Sequence, residues 1–81
     1  MSFEFVPIGK GNFVSQDRIV GIVRYNSKPI QKMVRDLKKS GKIIDATGGE
    51  RTRSLVITPS YLFLSPLLPE ELQKIMEKMS E

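Results

Sequence analysis

The sequence predicts an α+β fold: a small antiparallel or mixed sheet of about five strands with two amphipathic helices, in the order ββαβββα. Three observations predict it. Arg18-Ile19-Val20-Gly21-Ile22-Val23-Arg24-Tyr25 is rich in the β-branched residues that favour strands. Apolar stripes at helical spacing occur at Ile30, Met33, Val34 and Leu37, and again at Leu72, Ile75, Met76 and Met79. Gly- and Pro-bearing breaks separate these segments, with no repeat and no linker between them. At 81 residues, the chain reads as one domain over 1–81, able to bury only about two-thirds of its unfolded surface. There is no Cys to reinforce it with disulfides or a thiolate metal site. Self-association is the remaining common way to bury more apolar surface, against the alternative of a marginal monomer.

In chain order, Ser2 to Ile8 alternates weakly, with Phe3 and Phe5 on one face, and reads as an edge strand because Pro7 cannot donate to a ladder. Gly9-Lys10-Gly11-Asn12 is a turn; its glycines lack the spacing of a phosphate-cradling loop. The strand Arg18–Tyr25 places Ile19 and Val23 on one face and Val20 and Ile22 on the other, so it is central or covered by a partner, and Gly21 marks a bulge or a close backbone approach. Ser27 and Lys28-Pro29 open a helix, since Pro near the start loses only an N–H the helix leaves unpaired; Gly41 ends it. A third strand, Lys42 to Thr47, and a fourth, Thr52 to Thr58, flank Gly48-Gly49, which reads as a hairpin turn because glycine accepts positive φ. Pro59-Ser60 turns the chain into a fifth strand, Tyr61 to Leu64. Pro69 opens the last helix, 69–79, where Glu70 and Glu71 suit the positive end of its dipole.

The net charge is +4, but its distribution is more informative. From Lys10 to Arg53, eleven basic residues face four acidic ones, a net +7; from Ser65 onward, two lysines face four glutamates, a net −2. A basic body favours anionic partners such as nucleic acid, an acidic protein or a lipid surface. On the first helix, Lys38 and Lys39 lie where the dipole welcomes cations, whereas Lys28 and Lys32 lie near its start, where the dipole disfavours them. Lys28 and Lys32 are therefore candidates for ligand contact.

Arg51 and Arg53 follow the Gly48-Gly49 turn at once. By strand parity they share a face with Leu55 and Ile57, about 7 Å apart at ~3.4 Å per residue, and extend that face past the core as a rim. The planar guanidinium fork suits bidentate contact with phosphate or a guanine edge. The competing reading is an exposed ion pair with Asp45 or Glu50 across the turn, worth little to stability. Without His or Cys, the common nucleophilic dyads are excluded. No carboxylate spacing suggests metal binding or acid–base work, so neither an enzyme nor a cofactor is expected. Asp45 is expected to support the turn or orient an arginine, and Ser15 and Asp17 to act as turn or cap residues. The start of the chain lacks the pattern of a signal peptide and no stretch reaches the length of a membrane span, so the expectation is a cytoplasmic protein with no membrane partner and no small-molecule substrate.

The run Ile8-Gly9-x-Gly11-Asn12-x-Val14-Ser15, then Arg18-Ile19, Pro29-Ile30, and Gly41-Lys42-x-x-Asp45-Ala46-Thr47-x-Gly49-x-Arg51-Thr52-Arg53 resembles the RemA family of small bacterial regulators of extracellular-matrix genes. The likeness spans Phe5 to Leu64. It implies a nucleoid-associated transcriptional regulator of matrix or biofilm genes that binds double-stranded DNA as a homo-oligomeric ring, with Arg18, Arg51 and Arg53 at the positions of the family's DNA-contacting arginines. The chain departs from the family at Glu50, where a basic residue is common, and at Gly48, where a larger one is frequent. Two other readings stand beside this one. Phe3, Phe5, Phe13, Tyr25, Tyr61 and Phe63 could stack bases in a single-stranded RNA-binding module, and the two-faced strand suits a scaffolding oligomer with no nucleic-acid role.

Overall fold

Hydrophobic alternation, capped helices and left-handed glycines produce two helices and two sheets in the computed structural model, which describes residues 4–79. Ser2 and Phe3 of the expected first strand lie outside the described residues. The elements are β1 (Phe5–Gly9), β2 (Asn12–Ser15), a 3-10 turn (Gln16–Arg18), β3 (Gly21–Arg24), α1 (Lys28–Lys38), β4 (Ile43–Asp45), β5 (Ser54–Ile57), β6 (Leu62–Ser65) and α2 (Pro69–Met79). The fold class is the expected α+β. The sixth strand, β2, was not expected: only Val14 of Asn12–Ser15 is buried, which is too little for a periodic signal.

β1 and β2 form a separate antiparallel hairpin, with Val6, Ile8 and Val14 turned inward and Phe5, Pro7 and Phe13 at the alternate positions. The remaining strands form a mixed sheet in the order β3-β5-β6-β4, antiparallel except for the β4–β6 pair. This corrects the expected hairpin of the third and fourth strands. β4 and β5 do not pair, because β6 lies between them and takes the hydrogen bonds of both. The Gly48-Gly49 turn is real but local, and it does not join neighbouring strands.

Both faces of the four-stranded sheet are covered. Leu55, Leu64, Val23, Ile57 and Leu62 pack under α1 against Val34 and Ile30. Val56, Ile22 and Phe63 pack on the other side against the hairpin and α2, where Val6, Ile8 and Leu72 are fully buried. The two-faced β3 is therefore an edge strand covered by its own chain, not a central one. Its start is Gly21 rather than Arg18, because the 3-10 turn takes residues 16–18, with Ile19 N–H donating to the Gln16 carbonyl (3.2 Å). That turn resets the parity: Ile19 packs with Ile22, and Val20 is left 67% exposed. Gly21 pairs regularly with Ile57, and a Cβ there would make an ordinary 3.6 Å contact, so neither a bulge nor a forced approach is present.

The helix ends follow their sequence signals. Ser27 Oγ accepts from Ile30 N–H (3.3 Å), Pro29 sits in the first turn of α1, and Gly41 at φ +72 lies beyond its end. At α2, Leu68 N–H donates to Glu71 Oε1 (2.9 Å), the reciprocal half of a capping box.

Ser54 and Ser65, paired across β5 and β6, are buried polar residues with different outcomes. Ser65 Oγ donates to the Ile8 carbonyl (2.6 Å) and accepts from Leu67 N–H (3.1 Å), tying the hairpin to the sheet. Ser54 Oγ has no hydrogen-bond partner among the described residues. A buried, unpaired hydroxyl carries a desolvation cost of about 1–3 kcal/mol. Ser54→Ala is therefore expected to leave stability unchanged or raise it by about 1 kcal/mol, and Ser65→Ala to lower it by about 1–3 kcal/mol. Urea unfolding of both variants checks the contrast; equal losses at both positions would contradict it.

Candidate functional site

The segment from 46 to 53 leaves β4 at one edge of the sheet, crosses the end of β6 and enters β5. Local hydrogen bonds fix its course. Asp45 Oδ1 accepts from the Thr47 hydroxyl (2.6 Å) and from the Thr47 N–H (2.8 Å). The Thr47 hydroxyl and then its N–H hold the Asp45 carboxyl below its usual range, with a slight attraction from Lys38 and against the opposing effect of burial. Of its two expected roles, Asp45 thus supports the turn. Glu50 N–H then donates to the Thr47 carbonyl (3.1 Å), closing a turn with Gly48 and Gly49 at φ +62 and +90. Two successive positive φ values are readily adopted only by glycine.

The tip of the β1–β2 hairpin packs onto this loop. A Cβ at Gly9 would stand 2.5 Å from Pro66 Cδ, and one at Gly48 would stand 2.6 Å from Lys10 Cγ. The Lys10 ammonium pairs with the Glu50 carboxylate. The sequence offers Glu50 as a partner for the neighbouring arginines, but the lysine takes it instead. Its partner is forty residues away and becomes visible only when the hairpin closes on the loop.

Arg51 and Arg53 are exposed on either side of half-buried Thr52. The Arg53 backbone is held on both sides: its N–H donates to the Ser65 carbonyl (2.8 Å), and its carbonyl accepts from Tyr25 N–H (3.0 Å). Neither guanidinium has a hydrogen-bond or ion-pair partner among the described residues. The competing expectation of a pair with Asp45 or Glu50 is not met, since both carboxylates are engaged elsewhere.

The Tyr25–Arg53 hydrogen bond also brings the β3–α1 connection to this end of the sheet, so Lys28 lies on the same side of the molecule as the two arginines, with Lys32 one turn further along α1. Both lysines are exposed. The N-terminus of α1 adds the positive end of its dipole to the same region. Arg24, not singled out from sequence, is nearby but engaged. It pairs with Glu70, whose carboxyl is lowered chiefly by this hydrogen bond.

Arg18 is not part of this cluster. It follows β2 at the opposite end of the four-stranded sheet and lines an open cleft of about 310 Å³ with Phe13, Tyr61 and Phe63. Val20 N–H donates to the Ile57 carbonyl, and Ile57 is four residues from Arg53, which separates the two ends by roughly 13 Å at ~3.3 Å per residue. Within one chain, Arg18 therefore stands apart from the Arg51–Arg53 pair rather than beside it.

Among the described residues there is no group of three acidic, His or Cys side chains that could hold a metal, and no helix long and apolar enough to cross a membrane. What the 46–53 loop presents is a pair of unpartnered guanidinium forks on a rigid backbone, with Lys28 nearby. Such a pair is chemically suited to anions, and to phosphate oxygens above all.

A family model described as RemA-like, extracellular matrix regulatory protein A-like, matches residues 5–76. A relative from Fervidobacterium nodosum named "Putative regulatory protein" is 42% identical over 81 aligned residues, covering 98% of this chain and 87% of the relative. Relatives of the same name from Geobacillus thermodenitrificans (45% identical, 86% of this chain and 82% of theirs) and Thermotoga maritima (42% identical, 98% and 88%) match over most of their length.

Proposed function

The chain belongs to the RemA-like family, and from that premise we propose that it is a transcriptional regulator that binds double-stranded DNA through arginines repeated around a homo-oligomer. The observation that carries the proposal is the Arg51–Arg53 pair, exposed, unpartnered among the described residues and held on a loop fixed by Asp45, Thr47 and the two glycines. Two arginines and one or two lysines per chain bind DNA weakly. A closed assembly such as a ring repeats the rim, so that many weak contacts act through effective concentration. Exposed apolar side chains on the hairpin (Phe5 and Phe13), at Val20 and at Tyr61 support self-association.

The contacts are mainly to the DNA backbone, with shape contributing to site choice and little direct base reading. Neither described helix carries a row of Asn, Gln or Arg suited to the major groove; α1 has only Gln31 near its basic start. Lys28 and Lys32 extend the rim along α1. Arg18, at the other end of the sheet, reaches a separate phosphate or acts from another copy. The family's control of matrix and biofilm genes gives the expected regulatory setting, in the cytoplasm on the nucleoid.

One observation favours a second reading. Of the aromatic residues that could stack bases, Tyr25 and Phe63 pack into the core and Phe3 lies outside the described residues, but Phe5, Phe13 and Tyr61 are exposed, the last two near Arg18. Single-stranded RNA would use such a surface. Competition near physiological salt decides between them: unlabelled duplex DNA is expected to displace a labelled duplex far more effectively than single-stranded RNA of equal length. Stronger displacement by RNA would overturn the duplex reading.

A further inference from the structure

We propose that Lys10 is a further phosphate-contacting residue of the Arg51–Arg53 rim, held in reserve by Glu50, so that the Lys10–Glu50 pair sets the affinity and salt dependence of the chain for DNA. The inference rests on the duplex-DNA reading above and adds to it a residue and a form of control.

The Lys10 ammonium and the Glu50 carboxylate pair at the surface, with side chains 50% and 54% exposed. An exposed pair of this kind is weak. Removing the carboxylate therefore frees the ammonium at little cost to the fold. Lys10 is nonetheless well placed. Its backbone is left-handed (φ +49), and Asn12 Nδ2 donates to the Gly9 carbonyl (2.9 Å) across the hairpin tip. Its stem lies against Gly48, where any Cβ would collide with it. Only glycine at 48 leaves room for a lysine to cross the turn in this way. The ammonium therefore arrives beside Glu50, the residue next to Arg51, rather than moving freely in solvent. While paired, Lys10 and Glu50 sum to no charge and Lys10 releases no counterion from DNA. Freed, it adds one cation to the rim in every copy.

The test measures binding of a labelled duplex by the full chain over 50–200 mM salt for the parent, Glu50→Gln, Lys10→Gln and the double variant. Glu50→Gln is expected to bind roughly three- to tenfold tighter at 50 mM salt, with a log–log salt slope steeper by about 0.9 for each contacting copy. Adding Lys10→Gln to Glu50→Gln should remove both the gain and the steeper slope, returning the double variant to parental behaviour. Lys10→Gln alone should leave the slope unchanged. If Glu50 acts only by repelling phosphate, Glu50→Gln will tighten binding without steepening the slope, and adding Lys10→Gln will change nothing; that result overturns the proposal while leaving the DNA reading intact. If neither the parent nor Glu50→Gln binds duplex DNA, both fail.

Discussion

Arg51→Ala is expected to reduce affinity for duplex DNA by roughly 100-fold or more near physiological salt, with no change in unfolding midpoint or particle size. The first part follows from repetition. A single phosphate contact changes the affinity of one chain only modestly, but the loss recurs in each copy of an assembly that holds one duplex, and the losses multiply. The second part follows from the surroundings of Arg51. It is exposed, lies outside regular secondary structure, and its guanidinium supports no carboxylate and no carbonyl among the described residues. Truncating it removes no packing and leaves no buried group unpaired. Fluorescence anisotropy with a labelled duplex, alongside thermal unfolding and sedimentation, separates the two parts. A variant that binds as well as the parent would remove Arg51 from the site; one that unfolds or dissociates would give it a structural role.

Gly9→Ala is expected to destabilise the fold by about 2–4 kcal/mol, lowering the unfolding midpoint by roughly 10 °C or more. Two costs act together. Gly9 has φ +130, a conformation closed to side-chain-bearing residues, and its position leaves no space: the new Cβ would meet Pro66 Cδ at 2.5 Å, Pro66 Cγ at 2.7 Å and the Ala46 carbonyl at 3.2 Å. The Pro66 ring cannot swing aside as a flexible side-chain end could. Relief therefore requires the hairpin to move away from the β6–α2 connection, straining the Ser65–Ile8 hydrogen bond and drawing Val6 and Ile8 from the core. By contrast, Gly11 also has positive φ but has nothing near its missing Cβ, so Gly11→Ala should carry only the backbone part of the cost. Thermal scans of the two variants distinguish these effects. A Gly9→Ala midpoint no lower than that of Gly11→Ala would contradict the close-packed interface.

The contrast at Gly9 also shows how far the sequence could be read. Both helices were legible because their signals are local: apolar spacing, Ser27 before Lys28-Pro29, Pro69 followed by two glutamates, and Gly41 after the last turn. The strand pairing was not. The Gly48-Gly49 signal correctly gave a turn with two positive φ values, but a turn does not determine which strand lies alongside which. β4 has only three residues, and its pairing with β6 depends on α1 carrying the chain back across the sheet. The 3-10 turn at Gln16–Arg18 breaks strand parity without any Gly or Pro to announce it; Arg18 lies at the opposite end of the sheet from Arg51 and Arg53 because β3 and β5 run antiparallel, with Arg24 beside Ser54 and Gly21 beside Ile57. At the candidate site, motif and parity pointed to two arginines that are exposed and unpaired among the described residues. The engagement of Asp45 by Thr47, of Glu50 by Lys10 and of Arg24 by Glu70 needed coordinates, because two of those three contacts join residues forty or more positions apart.

In the proposed function, a rim of cations repeated by assembly grips the phosphates of duplex DNA. The salt dependence of binding tests it most directly, because the slope of log affinity against log salt is about −0.9 for each phosphate neutralised. The cations assigned to the site in one copy, without freeing Lys10, are Arg18, Arg51, Arg53, Lys28 and Lys32, which sets a limit of about −4.5 on the slope of one chain binding through that site. A rim repeated by assembly is expected to give a steeper slope than that. A slope at or shallower than this limit would confine the contact to one copy and contradict the repeated rim, and absence of binding to duplex DNA even at 50 mM salt would contradict the function itself.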